Sequence, residues 1–196
     1  SFLSLEEISV AVSEGARLGI PTAAHCIGGQ GLKDCIDGGV DVIEHMYMAT
    51  EQDVDRLASS RCVVDLTSGI FLDPSREEFL SPANALKVRQ NRSRVRENVS
   101  RIIKARLPFV LGTDAYHGLL YREVGYAVEL GAAPVTAIQG VTSHAAKVCR
   151  LEDRIGKLEN GLEADIIAVK GNPLKDVSRL SQVGLVMKGG VIYRQP

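Results

Sequence analysis

The sequence predicts an α/β fold with parallel β-strands, and three observations favour it. Four helix-then-strand units follow one another in residues 1–150 without hairpin turns between the strands, a pattern typical of parallel strands joined by crossover helices. Three of those strands lead into His25, His45 and Asp114, and parallel α/β folds gather their chemistry at the carboxyl ends of the strands. Residues 151–196 form short β-rich runs cut by glycine turns, which predicts a small β module packed after the α/β part.

The first unit carries clear local signals. Ser4 followed by Glu7 makes a capping box at the start of a helix, and Gly19 is predicted to end that helix. A strand over residues 20–24 follows and leads into His25. This unit therefore delivers an imidazole to the end of a strand.

The second and third units repeat the same order of helix and strand. In the second unit, a helix over 32–36 is stopped by Gly38 and Gly39, and a strand over 40–43 ends at Glu44 and His45. In the third unit, a helix over 52–60 is followed by a strand over 61–68.

The fourth unit is longer. A helix over 83–106 is predicted to lead into a strand that ends at Thr113 and Asp114. A last helix is predicted from Pro134, a favoured first-turn residue, to Lys147.

The long helix of the fourth unit is strongly basic. Its cations are Lys87, Arg89, Arg92, Arg94, Arg96, Arg101, Lys104 and Arg106. Val95, Val99 and Ile102 fall on one helical stripe, so the cations can occupy an outward, solvated face. A nucleic-acid surface would require aromatic or base-reading side chains among the cations, and none is interleaved there. We therefore expect no nucleic-acid partner.

Composition argues against several classes of protein. The 23 Lys+Arg and 24 Asp+Glu residues give a net charge of −1, so the overall charge does not favour nucleic acid or an anionic membrane as partner. The apolar runs are shorter than the roughly 20 residues that a membrane span requires, and the first residues lack the regions of a signal peptide. We expect a soluble, cytoplasmic protein whose four cysteines, which form no CxxC pair, are reduced and buried.

His25, His45 and Asp114 occupy equivalent points of the repeating unit and are the candidate metal ligands. One histidine near a strand end is more often a core residue, but three potential ligands at equivalent points favour a metal site. Imidazole and carboxylate suit Zn²⁺, and a catalytic site keeps one coordination position for water. Strand alternation predicts that Cys26 points away from His25. If the strand stays regular, it also predicts that Glu44 faces away from His45, in a packing or supporting role.

Four further residues carry weaker signals. His117 lies in the glycine-flanked loop "AYHGLLY", where it either contacts substrate or is solvated. His144 falls within a predicted helix and is expected to be structural. Asp65 and Thr67 share one face of the third strand, where they either line the pocket or serve packing and capping.

Taken together, these stretches resemble the carboxyl-terminal part of metal-dependent amidohydrolases, in particular the imidazolonepropionase-like and Xaa-Pro dipeptidase-like branch. The similar stretches are "IPTAAHC" with "GGQGLKDCIDGGVDVIEH", then "FVLGTDA", then "TSHAAKVCRLEDRIGKLENGLEADIIAV" with "VGLVMKGGVIYR". They cover nearly the whole chain. The ordered set, with 20 positions between the two histidines, is more specific than any one motif.

The family fold is a (β/α)₈ TIM barrel with a small β-sandwich built from both chain ends. The resemblance implies that residues 1–150 are barrel strands five to eight with their helices, and that residues 151–196 belong to the sandwich. It makes His25 the fifth-strand ligand, His45 the sixth-strand ligand or a group beside a single metal, and Asp114 the eighth-strand ligand that also shuttles a proton. The implied reaction is hydrolysis of a C–N bond in an amide, dipeptide or cyclic amide by water activated on Zn²⁺, with one or two divalent metals.

The chain departs from the family pattern in what it lacks. The first-strand His-x-His pair and the fourth-strand lysine have no counterpart, and Ile27 stands where close relatives often have a second histidine. We expect the isolated chain to be inactive, and to form a homo-oligomer or to associate with the missing amino-terminal half, because open barrel edges favour association. Two alternatives remain: a non-catalytic α/β binding or assembly module on the same scaffold, and a deaminase of the same superfamily.

Overall fold

The computed structural model describes residues 2–114, 116 and 118–195. The strands in these residues are β1 (Ala23–Cys26), β2 (Val42–His45), β3 (Val63–Leu66), β4 (Phe109–Leu111), β5 (Ile166–Val169), β6 (Val183–Lys188) and β7 (Val191–Arg194). Strands β1 to β4 form a parallel sheet in chain order, and β5 to β7 form an antiparallel sheet. The predicted α/β class with a parallel sheet is confirmed.

One helix precedes the parallel strands, and others connect them and follow them. They are α1 (Leu5–Leu18), α2 (Gln30–Asp37), α3 (Glu51–Ala58), α4 (Gly69–Leu72), α5 (Pro82–Lys104), α6 (Leu120–Glu129), α7 (Pro134–Gly140) and α8 (Ser143–Val148), with 3₁₀ helices at Pro74–Phe79 and Val177–Ser181. Each connection between neighbouring parallel strands contains a helix, as the crossover pattern predicts.

Local signals determine where α1 begins and ends. Ser4 is its N-cap and forms both hydrogen bonds of a capping box, and Gly19 ends it with a left-handed φ of 70°. The strand that follows begins at Ala23, later than predicted. The Ile20 N–H donates to the Gly15 carbonyl at 2.8 Å, so the end of the helix still holds this residue.

The second strand is also displaced from its predicted start. It begins at Val42 because the Val40 N–H donates to the Cys35 carbonyl at the end of α2. It continues through His45, so that histidine belongs to the strand.

The last predicted helix is two helices, α7 and α8. They are interrupted at Thr142, whose φ of −133° and ψ of −100° are not helical. Gly140 at the end of α7 packs on β4, because a Cβ there would lie 3.4 Å from the Leu111 side chain. Helix α6 was not predicted, since its N-cap Leu119 makes no side-chain cap and gives no sequence signal.

The apolar core lies between the parallel sheet and its helices. One row of the sheet faces this core, and its members in register are Ala24, Ile43, Val64 and Phe109. Because successive strand residues point to opposite faces, the next row along each strand points away from the core. That second row carries the polar side chains of the site.

The basic helix α5 uses its apolar stripe as predicted. Val95, Val99 and Ile102 are buried in the core. Several cations outside the stripe pair with acids of neighbouring elements, namely Arg89 and Arg92 with Glu77, and Arg96 with Glu129. In the described part of the chain, no helix is both long and apolar enough to cross a membrane.

The three-stranded antiparallel sheet agrees with the β-rich runs predicted after the α/β part. Gly189 and Gly190 form the turn between β6 and β7, both with positive φ, as a tight hairpin requires. The Gly189 N–H donates to the Asp165 side chain at 2.7 Å, which fixes this turn against the chain before β5.

Candidate active site at the ends of the parallel strands

One transverse row of the parallel sheet carries His25, Glu44 and Asp65. The register pairs His25 with Glu44 and Glu44 with Asp65, so the three residues lie side by side on the face opposite the core. His25 is exposed, and both carboxylates are half-buried. This face therefore brings one imidazole and two carboxylates together near the carboxyl ends of the strands.

His45 leaves regular strand geometry. Its φ is 79° and that of Met46 is 50°, in the left-handed region that residues with side chains rarely adopt. The register pairs His45 with Cys26, yet the His45 ring meets the His25 ring edge-on, with centroids 4.6 Å apart. The His45 Nε2 lies 3.9 Å from the Glu44 Oε2. Glu44 was predicted to face away from His45 in a regular strand, and this condition is not met, because strand alternation stops at His45.

The His45 ring is held by a hydrogen bond to Thr67, which directly follows β3. Its Nδ1 lies 2.6 Å from the Thr67 Oγ1. The Tyr47 hydroxyl donates to the Thr67 carbonyl at 2.7 Å and lies 2.6 Å from the Thr67 Oγ1. All three residues are buried. The sequence predicts that Thr67 either lines the pocket or serves packing and capping. The hydrogen bond between its hydroxyl and the His45 ring supports a role next to this candidate ligand.

Asp114 follows β4 in a turn and is exposed. The strand ends at Leu111, earlier than predicted, and Asp114 has a left-handed φ of 54°. Its carboxylate lies within electrostatic reach of His45. Burial lowers the pKa of His45 and the neighbouring His25 ring acts in the same direction, whereas the Asp114 and Glu44 carboxylates oppose this change.

The surroundings of Asp65 disfavour the charged form of its carboxylate. Burial raises its pKa to about 6, and the Glu44 and Asp114 carboxylates add to the increase. Its Oδ1 is buried and has no hydrogen-bond partner among the described residues. Gly112 directly follows β4 and lies beside Asp65: a Cβ at Gly112 would lie 2.8 Å from the Asp65 Oδ2. The Asp65 carboxylate therefore fits here only because Gly112 has no side chain.

Asp65→Asn is expected to reduce the pH dependence of the unfolding free energy between pH 4 and 6. The folded state binds this proton more tightly than the unfolded state, so the stabilisation is fully present below the ordinary pKa of 3.8 and is lost as the pH rises through about 6. The difference corresponds to roughly 3 kcal/mol. Urea unfolding at pH 4 and pH 7 measures it, with Asp55→Asn at an exposed position as the control. Equal pH dependence of wild type and Asp65→Asn would contradict this expectation.

The residues that the structure describes fit part of a divalent-metal site. His25 and His45 supply two imidazoles in contact, which suit Zn²⁺ and related ions. A catalytic zinc site uses three protein ligands, and no group of three His, Cys, Asp or Glu side chains in the described ranges is placed to hold a metal. His25 and His45 thus supply a suitable donor pair, and a complete donor set requires further ligands.

His144, the other histidine that the structure describes, does not join this cluster. His117 lies outside the described residues. His144, in α8, lines a cavity with Pro21, Asp41 and Pro108 at the amino-terminal ends of the strands. This position is at the opposite end of the sheet, which supports the structural role expected for His144.

The cysteines are free thiols. Cys26, Cys35 and Cys62 are buried as predicted, whereas Cys149 is exposed, so that part of the prediction is wrong. Cys149 follows the last residue of the short helix α8 and does not reach the core. Cys26 belongs to the core while its neighbour His25 is exposed, which agrees with opposite orientations along the strand.

A buried ion pair supports the loop after β3, and sequence reasoning missed it. Arg76 and Glu123 are each 1% exposed, and the Arg76 Nη2 lies 3.0 Å from the Glu123 Oε1. Both Glu123 carboxylate oxygens accept from the Gly69 N–H at 3.0 Å. The Arg76 guanidinium lies over the Tyr116 ring, 4.4 Å from its centroid, in the loop after β4. The partners are 47 positions apart, so no local pattern reveals the pair.

This arrangement places the chain among α/β proteins whose imidazoles and carboxylates gather at the carboxyl ends of parallel strands. The chain belongs to the amidohydrolase family, whose profile matches residues 3–193.

Individual relatives support the branch that the motifs resemble. Ochratoxinase of Aspergillus niger is 31% identical over 206 residues, which cover 98% of this chain and 42% of that protein. Imidazolonepropionase of Erwinia tasmaniensis is 30% identical over 131 residues, covering 63% of this chain and 28% of that protein. The crystal structure of a Xaa-Pro dipeptidase with bound methionine in the active site has a TM-score of 0.87 and 32% identity, covering 98% of this chain and 49% of that one. The chain therefore spans half the length of these relatives or less.

Proposed function

We propose that this chain is the carboxyl-terminal part of a metal-dependent amidohydrolase that hydrolyses a C–N bond. The observation that carries the proposal is the edge-on contact of His25 with His45, 4.6 Å between ring centroids, at the ends of neighbouring parallel strands in an amidohydrolase-family chain. Two imidazoles at that place supply the donor chemistry that a divalent metal requires.

His25 and His45 are the proposed metal ligands of this chain, together with Asp114. A bound Zn²⁺, alone or as one of two divalent ions, would polarise the carbonyl and lower the pKa of water. Asp114 lies in an exposed turn, where its carboxylate can accept a proton and pass it to the leaving nitrogen. Glu44, 3.9 Å from the His45 Nε2, orients the ligand or supplies a further oxygen donor.

The proposed substrate is a small amide, a dipeptide or a cyclic amide. Support comes from the relatives, since the names Xaa-Pro dipeptidase, ochratoxinase and imidazolonepropionase all denote hydrolases of the same family. A substrate contact by His117 is part of the proposal, as is a cytoplasmic location.

The proposed architecture of the complete protein is a (β/α)₈ barrel. Residues 1–150 would supply strands five to eight, and residues 151–196 would supply part of a β-sandwich. Two features support this. Strand β1 pairs only with β2 among the described strands, and the face that carries His25, Glu44 and Asp65 is not covered by the helix-side core. The open edge of β1 favours association, either with an amino-terminal half or with a second copy of the chain.

Reconstitution tests the proposed function. The 196-residue chain alone is expected to show no turnover of Xaa-Pro dipeptides, simple amides or cyclic amides with added Zn²⁺, because its donor set is incomplete. Co-expression with a segment that supplies barrel strands one to four is expected to restore hydrolysis and stoichiometric metal. Strong turnover by the isolated chain would contradict the fragment proposal, and a metal-loaded complete protein that hydrolyses no amide would contradict the proposed reaction.

A further inference from the structure

The hydrogen bonds around His45 form a closed set of three short contacts. The His45 Nδ1 lies 2.6 Å from the Thr67 Oγ1. The Thr67 Oγ1 lies 2.6 Å from the Tyr47 hydroxyl oxygen. That hydroxyl lies 2.7 Å from the Thr67 carbonyl oxygen. Each contact needs one proton between its two atoms to be attractive.

The number of available protons decides how they are arranged. A carbonyl oxygen only accepts, so the contact between Tyr47 and the Thr67 carbonyl takes the single Tyr47 hydroxyl proton. The contact between the two hydroxyl oxygens must then take the Thr67 proton. The third contact is left to the imidazole, which must carry its proton on Nδ1.

The opposite arrangement leaves one contact without a proton. If His45 carried its proton on Nε2, the Thr67 hydroxyl would have to donate to Nδ1, and the Tyr47 hydroxyl would have to donate to Thr67 Oγ1. The Tyr47 hydroxyl oxygen and the Thr67 carbonyl oxygen would then face each other at 2.7 Å with no hydrogen between them. Two buried oxygens that both act as acceptors at this distance repel each other, which costs free energy.

We propose that Tyr47 and Thr67 are positioning residues that hold neutral His45 in the Nδ1–H tautomer and leave its Nε2 unprotonated on the side of Glu44 and His25. This inference deepens the proposed function, on which its significance rests, because an unprotonated imidazole nitrogen is the form that binds a divalent metal. The assignment of protons itself depends only on the three contacts.

The surrounding packing fixes the positions of these oxygens. Tyr47 is 5% exposed, and its ring packs edge-on against Phe71 with centroids 4.6 Å apart. Its carbonyl accepts from the Asn98 Nδ2 at 2.8 Å. The Tyr47 hydroxyl therefore cannot move away from Thr67 without breaking these contacts with Phe71 and Asn98. The left-handed backbone at His45 places the imidazole ring between Thr67 and His25.

Nuclear magnetic resonance of the 196-residue chain tests the inference without metal or substrate. Two-bond ¹H–¹⁵N spectra of ¹⁵N-histidine-labelled protein distinguish a protonated from an unprotonated ring nitrogen, and His45→Gln assigns the signal. At a pH where His45 is neutral, the wild-type protein is expected to show a protonated Nδ1 and an unprotonated Nε2. A wild-type spectrum with the proton on Nε2 would overturn the inference.

Two variants and a matched control test the assignment to Tyr47 and Thr67. Thr67→Val removes the acceptor for Nδ1–H, and Tyr47→Phe frees the Thr67 hydroxyl proton for donation to Nδ1, so both are expected to shift His45 toward the Nε2–H form. Thr67→Ser keeps the hydroxyl and should keep the wild-type pattern. Unchanged spectra in both Thr67→Val and Tyr47→Phe would overturn the positioning role. Failure of the reconstituted protein to hydrolyse amides, with the Nδ1–H pattern intact, would instead count only against the proposed function.

Discussion

Asp114→Asn in the complete, metal-loaded protein is expected to lower kcat by about 10²- to 10⁴-fold, the range of a lost general acid–base group. Asparagine keeps the size of the side chain and tolerates the left-handed backbone that Asp114 adopts with φ of 54°. The fold should therefore be preserved while the proton acceptor is lost. Steady-state hydrolysis of an Xaa-Pro dipeptide, together with metal analysis, measures the effect.

The control for this variant is Asp153→Asn, at an exposed position outside the site. It removes the same charge and should leave kcat unchanged. If Asp114→Asn retains both metal and wild-type kcat, Asp114 is not the proton shuttle. If the metal is lost together with kcat, Asp114 acts as a ligand, and rescue by excess Zn²⁺ separates the two roles.

Glu123→Ala is expected to lower the free energy of unfolding by up to about 3–5 kcal/mol, the range for breaking a buried ion pair. It removes the carboxylate that hydrogen-bonds the Arg76 guanidinium and leaves this buried cation only the Asp73 carboxylate, whose Oδ2 lies 3.7 Å from the Arg76 Nε. It also removes the acceptor of the Gly69 N–H. Burial raises the pKa of Glu123 to about 7, and the Arg76 charge opposes the increase, so the experiment belongs at pH 8, where the carboxylate is ionised. Urea unfolding followed by circular dichroism gives the value.

An exposed ion pair provides the matched comparison. The Arg56 Nη1 lies 2.7 Å from the Asp37 Oδ1, with both side chains nearly half exposed, so Asp37→Ala should cost less than about 1 kcal/mol. The double replacement Arg76→Met with Glu123→Leu should cost less than Glu123→Ala alone, since it removes both charges. A double variant as unstable as Glu123→Ala would show that the lost Gly69 contact, and not the weakened pairing of the Arg76 charge, causes the effect.

Local sequence signals predicted much of the α/β part. The capping box at Ser4, the left-handed Gly19 and the hairpin glycines Gly189 and Gly190 each act within a few residues, and the structure places all of them where the patterns indicate. Apolar periodicity did the same for the buried stripe of α5. Strand starts were less predictable, because helix ends such as the Ile20 N–H bond to Gly15 extend past the point where the apolar pattern changes.

The site was predicted in part. His25, His45 and Asp114 were recognised because each stands at the predicted carboxyl end of a strand, and the two histidine rings do meet. A supporting role of Glu44 was predicted, but its position beside both histidines was not. The register sets His25 beside Glu44 rather than beside His45, and register depends on partners in another strand. The left-handed backbone at His45 could not be predicted either, because no glycine stands at that position.

The sequence by itself determined the order of helices and strands, the caps and turns, and the positions along the chain where imidazole and carboxylate side chains occur. Only the tertiary structure decided which of them share a surface. The contacts that build the site join residues far apart in the chain, 22 positions for His45 with Thr67 and 54 for Gly69 with Glu123. The physical reason is that capping and periodicity act over one or two turns of chain, whereas strand register, buried charge pairing and ring contacts depend on the packing of the whole sheet against its helices.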